Sequence, residues 1–199
     1  MSNVHTQLSP PLLLLATPQV QDPFFHQSVV LLVKHDDQGS MGLILNRPTG
    51  SCVAEVLQGM GIPWGGGGEV PVHFGGPVHP HLGTLLFDAA EAHDEAAAGG
   101  GMELPGLSGV RFTRDMADLE KLAGNPPRSF RLLLGSAGWG PGQLLEEILR
   151  NDWLIAPLSR ELLFSPSPEG IWAAALHSVG IDPAALPAWM PESDDSPVA

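Results

Sequence analysis

Two strongly apolar segments lie close together near the N-terminus, and they constrain the fold more than any other feature. Residues 28–35 are SVVLLVKH and residues 40–46 are SMGLILN, and only Asp36-Asp37-Gln38-Gly39 separates them. Short runs rich in β-branched and leucine residues favour strands, and Asp and Gly favour a tight turn. The two segments therefore predict a β-hairpin whose first strand is buried on both faces.

The rest of the chain alternates between strand and helix patterns without a fixed period or repeat. This uneven alternation predicts an α+β fold, in which a mixed, mostly antiparallel sheet curls toward a barrel-like core and helices flank it. Further strands are predicted over residues 12–16, 70–74, 82–87, 109–113, 130–134 and 154–156. Helices are predicted over 53–60, 114–123 (with Thr113 as its cap), 141–152 and 168–180.

The ends of the chain and one internal stretch differ in character from this body. We interpret residues 1–10 as a flexible arm, 11–186 as a single domain, and 187–199 as a Pro- and acid-rich tail. Within the domain, residues 88–103 carry acids and a glycine run but no base, which is typical of a solvated acidic loop.

The charge balance excludes several classes of partner. The chain of 199 residues has 9 Lys and Arg against 22 Asp and Glu, a formal net charge of −13. Such a charge disfavours direct binding to nucleic acid or to an anionic membrane surface. The only cysteine, Cys52, precludes an intrachain disulfide, and no basic segment precedes Lys34 as a secretory signal would require. We expect a cytoplasmic protein without a membrane span.

A glycine-rich stretch, Gly-Ser-Ala-Gly-Trp-Gly-Pro-Gly over residues 135–142, lies between a predicted strand and a predicted helix. Phosphate-binding loops occupy such positions, because a helix N-terminus presents free N–H groups. The Lys-Ser/Thr pair of a P-loop, the dinucleotide fingerprint and the nucleophile elbow are all absent. Two interpretations stay open: a tight strand-to-helix turn, and a backbone contact for a ligand.

Histidine and cysteine residues give weaker signals. His79 and His81 have the spacing of metal ligands on a strand and His73 is near, but Pro80 favours a turn and no further ligand is evident. We expect surface histidines, no metal site and no cofactor. Cys52 precedes an apolar helix and is interpreted as a buried structural thiol. No complete catalytic motif is present, so no catalytic residue is assigned.

Polar residues cluster at the open end of the predicted hairpin. The antiparallel arrangement brings Asn46 and Arg47 back toward Ser28 and Asp22, and leaves His35 at the turn. Asp22, Asn46 and Arg47 therefore converge in this interpretation. They form either a polar network that fixes the entry into the strand or a site for a ligand or partner.

Three blocks of the sequence together resemble the YqgE/AlgH family of bacterial proteins, over roughly residues 10–186. The blocks are Leu15-Ala16-Thr17-Pro18 with Asp22-Pro23, Phe25, Ser28-Val29-Val30, His35, Met41-Gly42 and Asn46-Arg47-Pro48; Gly75-Gly76-Pro77-Val78; and Gly138 to Leu144 with Glu147 and Trp153. Ser136 and Leu145 depart from it, since the family often has an aromatic residue and an acid there. The resemblance implies one α/β domain in the bacterial cytoplasm and no particular reaction, although members are commonly labelled transcriptional regulators.

These observations predict a non-enzymatic binding or regulatory protein whose partner is a protein or a small ligand. The candidate surface comprises Asp22, Asn46, Arg47, Gly75, Gly76, Trp139, Gly140 and Gln143. The alternative is an enzyme or sensor of a small anionic metabolite, held by the charge of Arg47 and the backbone of residues 138–142. Direct regulation through DNA ranks third, because the bases within residues 111–131, with a net charge of only +2, are typical of a solvated face and the net charge of −13 disfavours DNA.

Overall fold

The predicted hairpin is present and belongs to a much larger sheet. The computed structural model describes residues 8–92 and 100–186 of the chain. The strands in these ranges are β1 (Leu12–Ala16), β2 (Val29–Asp36), β3 (Gly39–Ile44), β4 (Pro48–Cys52), β5 (Pro71–Phe74), β6 (Val78–Asp88), β7 (Met102–Glu103), β8 (Val110–Thr113), β9 (Phe130–Trp139) and β10 (Trp153–Ala156). The helices are α1 (Val53–Gly59), α2 (Met116–Gly124), α3 (Gln143–Leu149), α4 (Arg160–Leu163) and α5 (Pro168–Ser178).

The strands form one mixed sheet in the order β10-β1-β2-β3-β9-β6-β8-β7, and β5 joins β4 to β9 beside this path. Every pairing is antiparallel except that of β5 with β9. The sheet curls into a half-barrel flanked by the helices. The predicted α+β single-domain architecture is therefore confirmed.

β9 is the central strand of this arrangement. Its first half pairs with β5, where Leu133 lies opposite His73, and its second half pairs with β3, where Ala137 lies opposite Gly42. Its other edge pairs with β6 over residues 130–136. Because β3 and β5 share one edge of β9, the end of β3 lies beside the end of β5, where the amide of Ile44 donates to the carbonyl oxygen of Gly75 at 2.9 Å.

The strands β1, β2 and β3 are buried on both faces, as the hairpin pattern predicts. Alternate side chains of β1 enter two different clusters: Leu13 and Leu15 pack with α4 and α5, whereas Leu14 and Ala16 pack with α3. The indole Nε1 of Trp172 on α5 donates to the carbonyl oxygen of Ala16 at 2.8 Å, which ties this helix to the strand. Apolar burial on both faces is the main stabilising contribution here.

A third cluster lies between the helices α1 and α2 and the second half of the sheet. Val53 and Leu57 of α1 and Leu122 of α2 pack on Leu85 of β6 and Leu132 of β9. This cluster places α1 and α2 side by side over β6 and β9.

Several predicted boundaries are wrong in instructive ways. The second hairpin strand ends at Ile44, but a further strand that the sequence did not predict, β4, begins at Pro48 and pairs with β5. Residues 135–139 continue β9, because β3 and β6 supply partners that outweigh the local glycines, and the turn to α3 is confined to residues 140–142. The side chain of Asp115, not of Thr113, caps α2 by accepting from the amide of Ala117.

The predicted flanking segments are only partly described. Residues 1–7, 93–99 and 187–199 lie outside the described residues, so most of the arm, the middle of the acidic loop and the tail do too. Leu8, assigned to the arm, is buried in the hydrophobic cluster that Leu14 and Ala16 form with α3. Asp88, assigned to the loop, is buried at the end of β6 and pairs with the guanidinium of Arg160. No helix within residues 8–92 and 100–186 is long and apolar enough to cross a membrane.

Candidate functional site

Asn46 fixes the segment that enters β2. Its Oδ1 accepts from the backbone amide of Val29 at 2.9 Å, and its Nδ2 donates to the carbonyl oxygen of Gln27 at 2.9 Å. Asn46 is buried, so these two bonds satisfy groups that water does not reach. The position of Asn46 just after β3, beside the residue before β2, follows from the antiparallel register of the hairpin.

Arg47 reaches the same segment from the next position. Its guanidinium donates to the carbonyl oxygen of His26, and its own carbonyl accepts from the amide of Phe74 at 2.6 Å. Partial burial lowers the pKa of Arg47 from its ordinary value. Arg47 therefore contacts the segment before β2 through its side chain and the end of β5 through its carbonyl group.

Asp22 opens the turn that Asn46 and Arg47 hold. Its Oδ1 accepts from the amide of Phe24 at 2.8 Å and from the amide of Phe25 at 3.3 Å. Short Asp side chains commonly stabilise turns in this way. The carboxylate is exposed, and its second oxygen accepts no hydrogen bond from the described residues.

Gly75 and Gly76 are buried where the chain between β5 and β6 packs against β9. A Cβ on Gly75 would lie 2.4 Å from the carbonyl oxygen of Gly135, and one on Gly76 would lie 2.2 Å from the carbonyl carbon of Ser136. Gly76 also has a φ of +144°. These glycines let β5 and β6 approach β9, and the structure explains them by packing alone.

Trp139 and Gln143 belong to a polar network centred on Glu147. Glu147 Oε2 accepts from the indole nitrogens of Trp139 and Trp153 at 2.8 and 2.7 Å, and its Oε1 accepts from Gln143 Nε2 at 2.9 Å. Gln143 Oε1 in turn accepts from the amide of Gly140 at 2.9 Å. The network ties α3 to the ends of β9 and β10.

Phe25 packs on both indoles. Its ring centroid lies 5.9 Å from that of Trp153 and 6.3 Å from that of Trp139, and the two indoles lie 5.8 Å apart at 80°. Edge-to-face contacts of this kind add to the stabilisation from burial. The 22–28 turn is thus fixed by Asn46 and Arg47 on one side and by the indole pair on the other.

A groove of about 350 Å³ runs between this turn and α3. Asp22 and Gln143, two of the predicted residues, line it together with Phe25, Glu147 and Trp153. Its remaining lining residues are Gln19, Val20, Gln21, Arg150 and Asp152. We call this cavity the α3 groove.

The structure therefore brings the predicted residues together only in part. Asp22 and Gln143 line the α3 groove, and Trp139 supports it from below through Glu147. Asn46 and Arg47 hold the far side of the same turn. The alternative anion site gains no geometric support among the described residues, because Arg47 is engaged by His26 while Gly138 lies within β9, opposite Met41.

One buried pair is not predicted by the sequence. Arg131 Nη1 donates to Nε2 of His73 at 2.6 Å, and the same guanidinium donates to the carbonyl oxygens of Leu163 and Ser165. Both residues are buried, and burial lowers the pKa of His73 to about 4 and that of Arg131 to about 10. The only sequence signal is a charged residue in an apolar strand.

The other candidate residues have simple environments. His79 and His81 are exposed, and no group of three metal-ligating side chains exists in the part of the chain that the structure describes. Cys52 is partly exposed at the start of α1, where a buried thiol was expected. His35 lies at the hairpin turn, away from Asn46, and its Nδ1 is 2.8 Å from the hydroxyl of Ser40.

Comparison with known families identifies the chain. Residues 13–184 match the model of a family described as AlgH-like. The chain belongs to the AlgH-like family. The predicted resemblance is thus confirmed, and it spans nearly the whole of the described domain.

Relatives of this AlgH-like chain agree with that assignment. A UPF0301 protein of Xanthomonas campestris pv. campestris is 40% identical over 173 residues, which cover 85% of this chain and 88% of the relative. A UPF0301 protein of Myxococcus xanthus is 39% identical over 177 residues, covering 88% and 93%. Neither name states an activity.

Solved structures show the same fold. The solution structure of the AlgH protein from Pseudomonas aeruginosa is 31% identical and has a TM-score of 0.69, covering 94% of this chain and 99% of that one. A Corynebacterium diphtheriae protein with a crystal structure is 24% identical and has a TM-score of 0.70, covering 86% and 87%. The second supports the AlgH-like fold alone.

Proposed function

We propose that this AlgH-like protein is a non-enzymatic binding protein, and that the α3 groove takes a basic segment of a partner protein. The observation that carries the proposal is a groove with a fixed floor and a negative charge. Among the described residues, Asp22, Glu147 and Asp152 line it together with a single cation, Arg150, whose guanidinium is 2.8 Å from the carboxylate of Asp152.

The hydrogen bonds within the groove favour binding over chemistry. Both oxygens of Glu147 already accept from the indoles and from Gln143, so this carboxylate positions its neighbours. Asp22 is exposed and keeps one oxygen available. Beside it, the half-buried ring of Phe25 offers apolar surface against which a planar guanidinium can stack.

The net charge of −13 supports the same class of partner. A strongly acidic protein attracts basic segments and repels polyanions, which favours a regulatory role through protein contacts over direct contact with DNA. Members of the family are labelled regulators, and a protein partner accommodates that label without a basic surface. In this proposal the protein acts in the cytoplasm.

The test is a titration of the isotope-labelled protein with a capped tetra-arginine peptide at low ionic strength, followed by amide chemical shifts. We expect shifts confined to residues 19–25 and 143–153. Asp22→Asn keeps the acceptor for the turn but removes the charge, so we expect the affinity to fall about two- to fivefold, as for an exposed ion pair.

Asp37→Asn provides the matched control, because Asp37 is an exposed acid in the β2–β3 turn. It removes the same charge and should leave the affinity unchanged. Shifts spread over the whole acidic surface, or equal losses in the two variants, would show that attraction to the net charge alone explains the binding, and the proposed site would be rejected.

A further inference from the structure

A second groove, lined mainly by apolar side chains, opens between α1 and α2, on the other half of the sheet from the α3 groove. Its volume is about 290 Å³, close to the lower end of the range for small-molecule sites. Leu85, Leu132 and Leu134 form its floor, and Val56 and Leu119 line its walls. We call it the α1–α2 groove.

Large apolar side chains are exposed around its mouth. Met60 is 46% exposed, Leu82 is 41% exposed and Met116 is 48% exposed. Contiguous exposed apolar surface on a soluble domain commonly marks a binding site, and methionine side chains adapt to ligands of different shape. The groove continues the third hydrophobic cluster, which lies between α1, α2 and the sheet, out to the surface.

Gly83 explains why this space exists. It lies on β6 opposite Leu134, and a Cβ added to it would point between Leu132 Cδ1 at 3.7 Å and Leu134 Cδ2 at 3.9 Å. Both are ordinary contact distances, so a Cβ fits here without a clash and would lie against two leucines of the groove floor. The missing side chain is therefore what leaves the floor of the groove open.

The charged side chains at the groove differ in whether their hydrogen-bonding groups are already engaged. Arg114 donates through Nε to the buried hydroxyl of Thr84 at 2.9 Å and through Nη2 to the sulfur of Met41 at 3.6 Å, and it pairs with no carboxylate among the described residues. Asp115 also lines the groove, but its Oδ1 accepts from the amide of Ala117 at 2.7 Å. His81 is exposed at the rim.

We propose that the α1–α2 groove binds a small amphipathic carboxylate, whose apolar body lies on the leucine floor and whose carboxylate accepts from Arg114. A planar guanidinium with unused N–H groups suits a carboxylate, and an apolar wall beside it suits a hydrocarbon chain. The charge of Arg114 selects an anion over a neutral or cationic ligand of the same shape. This site is independent of the α3 groove.

The probe is decanoate below its micellar concentration, titrated by calorimetry and by amide chemical shifts. Decanol and decylamine have the same chain with a neutral and a cationic head. We expect decanoate to bind at least threefold more tightly than either, with shifts around Gly83, Arg114 and Met116.

Two variants locate the ligand. Gly83→Val fills the floor with a residue that strands favour, so decanoate affinity should fall at least tenfold while the melting temperature is kept or raised. Arg114→Gln should lower the affinity for decanoate at least threefold and leave that for decanol unchanged. Arg128→Gln removes one charge from an exposed arginine outside the groove and should change neither.

The outcomes separate clearly. Loss of decanoate binding in folded Gly83→Val, with the Arg114 effect confined to the anion, supports the site. Absence of binding at millimolar decanoate overturns it, as does equal affinity for decanol or insensitivity to both variants. If an acidic amphipathic peptide shifts the groove amides and decanoate does not, the occupant is a protein segment and the proposal is wrong.

Discussion

At the scale of single residues, buried polar side chains do most to define the site. Asn46 is the clearest case, since its amide joins the backbone of residues on both sides of the β2 entry. The sequence predicted its approach to Ser28, because the hairpin register follows from two apolar runs and one turn. The sequence did not show whether the Asn46 side chain has a structural role or contacts a ligand, because the answer depends on which groups form hydrogen bonds with its amide.

We expect Asn46→Ala to lower the free energy of unfolding by about 2–3 kcal/mol, because the buried amide of Val29 loses its acceptor. Urea denaturation measures this. Asn125→Ala, at an exposed asparagine after α2, should stay within about 0.5 kcal/mol of the original protein. Equal effects in the two variants would mean that Asn46 does not hold the strand entry.

His73 gives the fold a dependence on pH. Burial lowers its pKa from 6.5 to about 4, so the unfolded chain takes up a proton before the folded protein does. The free energy of unfolding is therefore unaffected by the titration of His73 above pH 6.5 and decreases as the pH falls toward 4. Linkage sets the loss at up to about 3 kcal/mol, or about 1.4 kcal/mol for each pH unit.

His73→Gln should remove this dependence, because the amide oxygen can accept from Arg131 without titrating. The measurement is the free energy of unfolding between pH 4 and 7 for both proteins. An unchanged slope in the variant would assign the pH dependence to the carboxylates instead.

At the scale of elements, the approach of β5 and β6 to β9 depends on Gly76. Its φ is +144°, and a Cβ at this position would lie 2.2 Å from the Ser136 backbone, which leaves no room for a side chain. We expect Gly76→Ala to cost about 3 kcal/mol or more, through strain and displacement of the junction. Gly67→Ala, where a Cβ meets nothing within 4 Å, should be neutral or slightly stabilising by thermal melts.

The same elements show what the sequence could and could not predict. β1, β2, β3, α1 and α5 follow from local patterns, and they were placed within a few residues. β4 and residues 135–139 of β9 were missed, because Pro48 and Gly135 are local signals against a strand and only distant partners supply the pairing. The α3 groove was missed as a cavity for the same reason, since its two walls are far apart in the chain.

At the scale of the whole molecule, charge decides which polymers can bind. With 22 acids against 9 bases, and with Arg131 buried, we expect no shift of duplex DNA in a gel titration at low ionic strength. Binding that weakens steeply with added salt would contradict this and would reopen direct regulation through DNA.

β9 also has a consequence for how the molecule opens. Leu132, Leu133 and Leu134 pair with β5 on one side and β6 on the other, and the same strand carries β3 farther along. Neither half of the sheet can separate from the other without loss of the backbone hydrogen bonds that β9 makes with its neighbours. Amide hydrogen exchange in β9 should therefore proceed only through global unfolding, and its protection should equal the full free energy of unfolding.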